Sequence, residues 1–435
     1  MIPGRKTRTG RWWLREALIN TPTRSTALPV FLAAGLLVGC EQLAAYLPPA
    51  VSEPIISPAA TPVDDGGTSI SLAAVPFPEL PGWLGDKQSA ALPALLKSCA
   101  KLNPAAADKP FGKYPEMGRI RDWLPICKDA KLIRPDNHVE AKYFFESRFR
   151  AYSVSVGFQR RGLFTGYYEP ELDGAWKPGG GYSTPIYARP RDLLSADLGS
   201  FDDKWKGSQI AGRLVGDSFV PYHSRAEIDS GVLAGRQLEV LWVADPIDAF
   251  FMHIQGSGRI RFADGTHIRL GYAGRNGHRY TPVGRELVAA GQMKLKDVTM
   301  PAIRDWMKRS PVAGQALMRK NKSYIFFRVV DTDGPVGAQG VVLTPGRSIA
   351  VDRAYYPMGV PIWIVTTDPG VKPAKPLRRL MIAQDTGSAI KGPIRGDFFW
   401  GYGAAAGDKA GRMKEKGQIY VLLPRTVPPP KPNTF

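Results

Sequence analysis

A mainly β chain with some helices, organised around a barrel, is the fold class this sequence predicts, and three observations predict it. The 46 glycines and 39 prolines among 435 residues call for many turns between short elements rather than for a helical bundle. Four short apolar strand candidates follow one another near the C-terminus, at 348–351, 361–366, 380–384 and 419–423, a spacing that suits a barrel. Further upstream, a helical block interrupts a long series of β-like runs, which suggests an insertion. The length allows two domains, and 44% hydrophobic residues is enough for a substantial core.

Taken in order, residues 1–39 carry six basic side chains against Glu16 and then the apolar run from Ala27 to Leu37, too short to span a bilayer. Leu37-Val-Gly-Cys40 resembles a bacterial lipobox, which implies cleavage before Cys40 and lipidation of that cysteine; Glu41, rather than an aspartate, implies sorting to the outer membrane. A plain secretory signal with an incidental cysteine is the alternative. Residues 40–79, rich in Pro, Ala and Ser, read as a flexible tether. Helices are expected at Ser89 to Leu102 and at Val139 to Phe149, where Phe144, Phe145 and Phe149 fall near helical spacing and read as core. The chain then turns β-rich at Leu163-Phe-Thr-Gly-Tyr-Tyr168-Glu-Pro170 and changes domain there. Residues 168–328 hold short strands such as 237–243 and 266–271, followed by helices at 284–291, 301–307 and 314–319. Residues 426–435 read as a disordered proline-rich tail.

Cys99 and Cys127 remain once Cys40 is assigned. In an oxidising compartment an even pair reads as a disulfide, with two buried thiols as the alternative, and two cysteines make a poor zinc site. The net charge of +19 falls to +14 without residues 1–39 and suits an anionic partner such as the cell wall. The basic residues are dispersed and the leader directs export, so nucleic acid is not an expected partner. With five scattered histidines and no His-Glu-x-x-His, neither a catalytic metal nor a cofactor is expected.

The candidate chemistry lies in Arg379-Leu-Met-Ile-Ala-Gln-Asp385-Thr-Gly-Ser-Ala-Ile-Lys-Gly392-Pro-Ile-Arg-Gly-Asp397-Phe-Phe-Trp-Gly401, a strand running into a glycine-rich turn that ends at a second acid. A third aspartate, Asp352, lies upstream in Arg347-Ser-Ile-Ala-Val-Asp352. With Gly166-Tyr-Tyr-Glu-Pro170, Ser224-Arg-Ala-Glu-Ile-Asp229, Phe251-Met-His-Ile-Gln-Gly-Ser-Gly258, Tyr272-Ala-Gly-Arg-Asn-Gly277 and Leu343-Thr-Pro-Gly-Arg347, these motifs resemble the landmarks of the membrane-bound lytic murein transglycosylase A family, in family order over about residues 85–425. The resemblance implies a discontinuous double-psi β-barrel catalytic domain at residues 80–167 and 329–425, a second, inserted β-barrel at 168–328, and a groove between them for a glycan strand. It also implies a peptidoglycan lytic transglycosylase that cleaves the β-1,4 bond between N-acetylmuramic acid and N-acetylglucosamine, leaving 1,6-anhydro-N-acetylmuramic acid ends. The spacing between Asp385 and Asp397 departs from some members by one residue, through Pro393.

Such cleavage needs an acid to protonate the leaving oxygen, and a tethered C6 hydroxyl takes the place of a positioned water, so one acid-then-base residue suffices. By resemblance that residue is Asp397, whose aromatic and glycine neighbours favour the protonated form. Asp385 is a supporting carboxylate that raises the pKa of Asp397 or orients the loop, or else bonds backbone amides within an Asp-Thr-Gly turn. Asp352 is expected to be structural, paired with an arginine. Tyr167, Tyr168, Gln255, Ser257, Tyr272 and Asn276 are candidate sugar contacts, since aromatic faces and amide or hydroxyl groups hold sugars. The expected partners are peptidoglycan strands and the outer membrane through the lipid anchor, facing the periplasm, with a cell-wall synthesis complex as a further candidate. Two other classes fit less well. A noncatalytic peptidoglycan-binding lipoprotein of the same fold would lack activity. An aspartic protease, suggested by Asp385-Thr-Gly-Ser, lacks an apolar strand before its would-be partner Asp229.

Overall fold

The computed structural model describes residues 70–205 and 208–430. The lipobox, Cys40 and most of the expected tether lie outside the described residues. The described chain begins with β1 (Ile70–Val75), α1 (Leu92–Cys99), α2 (Ile120–Ala130) and α3 (His138–Arg148), then β2 (Phe149–Val156) and β3 (Gly162–Glu169). The central segment contains β4 (Glu171–Ala175), β5 (Thr184–Tyr187), β6 (Leu194–Asp197), β7 (Gln209–Val215), β8 (Ser218–Pro221), α4 (Arg225–Asp229), β9 (Glu239–Val243), α5 (Pro246–Gln255), β10 (Gly258–Arg261) and β11 (His267–Arg275). It ends in three helices, α6 (Val283–Ala289), α7 (Met300–Arg309) and α8 (Pro311–Lys320), and β12 (Ile325–Val330). The last part is β13 (Ser348–Val351), β14 (Pro361–Thr367), β15 (Pro376–Asp385), β16 (Arg395–Tyr402), α9 (Gly403–Arg412) and β17 (Lys414–Pro424).

Six strands close on themselves in the order β17-β14-β15-β13-β16-β3, with β3 returning to β17, and β2 and β1 extend the sheet from β17. The barrel forms because its strands are strongly apolar: Phe164, Ile349, Val351, Ile362, Ile364, Ile382, Phe398 and Val421 belong to one buried core with Trp363. Closure requires glycine where β3 meets β17. Gly162 and Gly417 are partners there, and a Cβ on Gly162 would collide with the Ile394 carbonyl, while one on Gly417 would sit 2.7 Å from the Val365 carbonyl. Helices α1–α3 cover the barrel, and Cys99 is disulfide-bonded to Cys127 between α1 and α2.

Between β3 and β13, a six-stranded sheet runs β12-β11-β10-β4-β9-β5 around its own core of Leu172, Leu241, Ile260, Leu270 and Phe327. Its end strands β5 and β12 touch, so the sheet is curled. Helix α5 is capped by the Asp245 side chain accepting from the Ile247 amide, and stops where Gly256 turns left-handed at φ 79°. Its apolar face packs on α6–α8 through Phe250, Phe251, Leu287 and Met307.

Two expectations about the chain ends are corrected. The tether does not reach residue 79: Ile70–Val75 pairs with β2 along its whole length, and Ile70 and Phe77 are buried in the barrel's core. The tail does not begin at 426 as free chain, because Val427 is buried and its carbonyl, like that of Arg425, accepts from Arg150 Nη1. Both corrections have one cause. β2 lies between β1 and β17, so the segments at the two ends complete its hydrogen bonding and cover its side chains.

Candidate active site

Strand register assembles the acids. On β13, Ala350 is the Cα partner of Asp385 across the parallel ladder with β15 and of Asp397 across the antiparallel ladder with β16. Asp397 is in turn the partner of Thr165 on β3. A register shift between Ile349 and Ala350 sets Asp385, rather than Gln384, opposite Ala350, so Thr165, Asp397, Ala350 and Asp385 form one row across four strands. The acids are two strands apart, about 9–10 Å between their Cα atoms at usual strand spacing, with Ala350 on the strand between them.

Asp397 accepts a 2.6 Å hydrogen bond at Oδ1 from Thr165 Oγ1, and Thr165 Oγ1 accepts one of 2.8 Å from Arg395 Nη2. Since a guanidinium only donates, the threonine hydroxyl must direct its proton to Oδ1. Oδ2 is therefore the atom that carries the transferable proton when Asp397 is neutral. Burial pushes the Asp397 pKa above the ordinary carboxylate value against the opposing effects of the Arg395 cation and the Thr165 hydrogen bond. Arg395 is held by the Leu163 and Gly396 carbonyls and forms no ion pair with Asp397 within 4 Å.

Asp385, at the end of β15, accepts at Oδ1 from the amides of Ala338 and Thr386, each at 2.9 Å. Burial, chiefly, raises its pKa to about 6, assisted by the charge of Asp397 and opposed by the two amides and Tyr167. The turn reading of Asp385 and its role as a charged neighbour thus coexist. Two residues along the same face, Tyr167 packs on Phe399 at 5.2 Å between centroids. Its hydroxyl is buried with no hydrogen bond inside 3.5 Å, and burial together with both carboxylates raises its pKa far above the phenol value.

Asp352 is buried, but its partner is not an arginine. Oδ1 accepts from the Ala354 amide and Oδ2 from the Gly392 amide at 2.8 Å, and Lys391 Nζ lies 3.9 Å away. The Tyr356 hydroxyl donates to the Pro393 carbonyl, so the 352–356 turn clamps the loop that joins the two acids. Beneath Asp385, Gln384 donates to the Ala94 carbonyl and to Ser98 Oγ and accepts from Ser348, and Ser98 donates to Gln339. That buried network fixes the strand end and the 338–339 backbone which bonds Asp385.

Of the six expected sugar contacts, only Tyr167 joins the acids. Tyr168 points to the other side of β3, against Ala406 and Ala410 of α9, because neighbouring strand residues face opposite ways. Gln255 accepts from the Tyr168 amide, and Ser257 is half-buried between α5 and β10. Tyr272, 51% exposed, lines a separate cavity with Arg189 and Arg275. Asn276 is not available to a ligand: it is 1% exposed, donates to the His223 and Lys322 carbonyls and accepts from the Tyr324 amide. Sequence reasoning missed Thr165, Ala350 and Arg395. The only signal for Arg395 and Ala350 was their place in the two strands that carry the acids, and for Thr165 there was none.

Beyond Tyr167 and Phe399 the same strands pair Glu169 with Tyr402. Tyr402, 57% exposed with the Arg259 guanidinium over its ring, lines a cavity of about 590 Å³ with Arg269, Asp331 and Asp333. The acids themselves line none of these cavities and lie partly open on the barrel face. Among the described residues no three His, Cys, Asp or Glu side chains converge as a metal site would need.

Comparison with known proteins agrees with this architecture. Residues 163–328 match the MltA specific insert domain and residues 347–423 the 3D domain. A relative from Escherichia coli, membrane-bound lytic murein transglycosylase A, is 33% identical over 264 residues, 60% of this chain and 65% of the relative. A crystal structure of membrane-bound lytic murein transglycosylase from Agrobacterium tumefaciens is 34% identical with a TM-score of 0.72, covering 82% of this chain and 98% of that one. MltA from Neisseria gonorrhoeae, in its monoclinic form, is 36% identical with a TM-score of 0.70, over 85% and 95%. The chain thus belongs to the membrane-bound lytic murein transglycosylase A family.

Proposed function

We propose that this protein is a peptidoglycan lytic transglycosylase that cleaves the β-1,4 bond between N-acetylmuramic acid and N-acetylglucosamine, with Asp397 as its one acid and base. The observation that carries this reading is the Arg395-Thr165-Asp397 chain, which reserves Oδ2 for the transferable proton while burial favours the neutral acid. Oδ2–H protonates the glycosidic oxygen as the C1–O bond breaks and an oxocarbenium-like centre forms. The resulting carboxylate then takes the proton of the C6 hydroxyl as O6 bonds to C1, which closes the 1,6-anhydro ring and restores neutral Asp397. Asp385 has no part as nucleophile in this reading, because the tethered C6 hydroxyl attacks C1. It anchors the 338–339 backbone and adds negative charge near the developing cation.

In this reading the barrel of β3 and β13–β17 is the catalytic domain, the inserted sheet forms the other wall of the glycan groove, and Cys40 carries the lipid that holds the enzyme at the outer membrane. Digestion of purified sacculi, followed by mass spectrometry of the muropeptides, tests it. Anhydro ends are expected from the wild type, and Asp397→Asn should lower the rate by about 10²–10⁴-fold or more. Ends one water heavier would make the enzyme a hydrolase. A wild type that binds sacculi without releasing products would be the noncatalytic lipoprotein, and full activity in Asp397→Asn would remove the site assignment.

A further inference from the structure

A cavity of about 450 Å³ in the inserted domain shares no lining residue with the acids. Its walls include Tyr187, Trp242, Phe250 and Tyr324, and Arg225 and His253 reach it from α4 and α5. Arg225 is only 4% exposed, its guanidinium 4.9 Å from the ring centroids of both Phe250 and Tyr324. Nε donates to the Asn321 carbonyl and Nη2 to the Ser323 carbonyl and to His253 Nδ1. His253 Nδ1 also accepts from the Ile325 amide, so its imidazole is neutral and adds no second positive charge. Nη1 has no partner among the described residues and is not sealed off from the cavity. Among the described residues no carboxylate lies within 4 Å of this cation. Asp229 also lines the cavity, and it is exposed.

A buried cation with no carboxylate within 4 Å, Asp229 acting on it only from farther off, and with one face of its fork open to an aromatic-walled cavity, is built to receive an anion. We propose that this cavity binds a zwitterionic α-amino-acid group, its carboxylate on Arg225 Nη1 and its ammonium on Asp229. The aromatic walls would take the aliphatic body of the ligand, as such pockets do. Two sources offer that chemistry: a free amino acid, or a stem-peptide residue whose far end keeps an amine and a carboxylate on one carbon. The pocket's chemistry is independent of the reaction at Asp397, and only the second source rests on the peptidoglycan reading.

The test is calorimetric titration of the full chain in detergent, carried in the Asp397→Asn background so that failure to cleave has no bearing on binding. The probes are free meso-diaminopimelate, a muramyl tripeptide ending in that residue, and N-acetyl-D-alanine as an amine-blocked control. Binding of at least one zwitterion with a Kd of about 1 mM or tighter is expected. Asp229→Asn should weaken it about fivefold without changing the blocked control, and Arg225→Lys should weaken every probe. Binding of both zwitterions supports the group itself as ligand, and binding of the tripeptide alone assigns the stem peptide. Should Arg225→Lys fail to fold, Asp229→Asn decides alone, since its side chain is exposed. Absence of binding by any probe, or zwitterion binding indifferent to Asp229→Asn, overturns the proposal.

Discussion

Replacing Asp385 by Asn should make the protein more stable at neutral and alkaline pH, although it removes a charge from the site's centre. In the folded protein this carboxyl has a pKa of about 6, against an ordinary value of 3.8, because burial and the charge of Asp397 both disfavour ionisation. A folded pKa above the unfolded one means that the native state holds a proton the unfolded chain releases. Its contribution is therefore fully favourable below about pH 4 and is lost as pH rises through 6. The shift is roughly two units, which at 1.36 kcal/mol each makes about 3 kcal/mol lost to the wild type above pH 7, an upper figure because the carboxylate is partly open to solvent. Asparagine keeps an Oδ1 that can accept from Ala338 and Thr386 and has no charge to bury. Urea unfolding of both proteins from pH 4 to 8.5 should show them converging at the acid end, with the variant ahead by about 1–3 kcal/mol at pH 8. A variant that is less stable at pH 8, or a gap that does not close on acidification, would refute the electrostatic argument. Because Asp385 and Asp397 titrate as neighbours, part of the slope belongs to the pair. Activity should fall less than in Asp397→Asn.

Thr165→Val removes the donor to Asp397 and leaves a guanidinium N–H of Arg395 without its acceptor, at about 1–3 kcal/mol of stability. Because that bond favours the ionised acid, the alkaline limb of the kcat/KM profile should move to higher pH; an unmoved limb would show that Thr165 does not act through Asp397. Asp352→Asn should turn one acceptor into a donor facing an amide and cost about 1–3 kcal/mol in urea unfolding, with loss of rate through the 386–394 loop. An N-terminal truncation to Pro78 deletes β1 and the buried Ile70 and Phe77, each worth about 1.5–3 kcal/mol, so its unfolding midpoint should fall well below that of a fragment begun at Thr68. Equal midpoints would show that β1 is dispensable.

The sequence by itself determined what depends on neighbouring residues. Ser348 to Val351 is a strand because four successive side chains are small or β-branched and all four are buried, and the apolar run from Pro361 ends where polarity rises. The class of fold, the family and the two acids were legible for the same reason, since turns, β-branched runs and an Asp-Thr-Gly loop are local. Tertiary structure decided which side of the sheet each residue serves. Tyr167 and Tyr168 are equivalent in sequence, but the parallel pairing of β3 with β16 turns only Tyr167 toward Asp397. Thr165 lies 232 positions from the acid it bonds, and Ala350 matters only because both acids fall opposite it. Asn276 looked like a sugar contact until three backbone groups from distant turns claimed its amide, and Asp352 found amides of a loop instead of an arginine. Hydrogen bonds between segments far apart in the chain are set by register and packing, and a side chain's chemistry in isolation does not say which of its groups the fold will leave free.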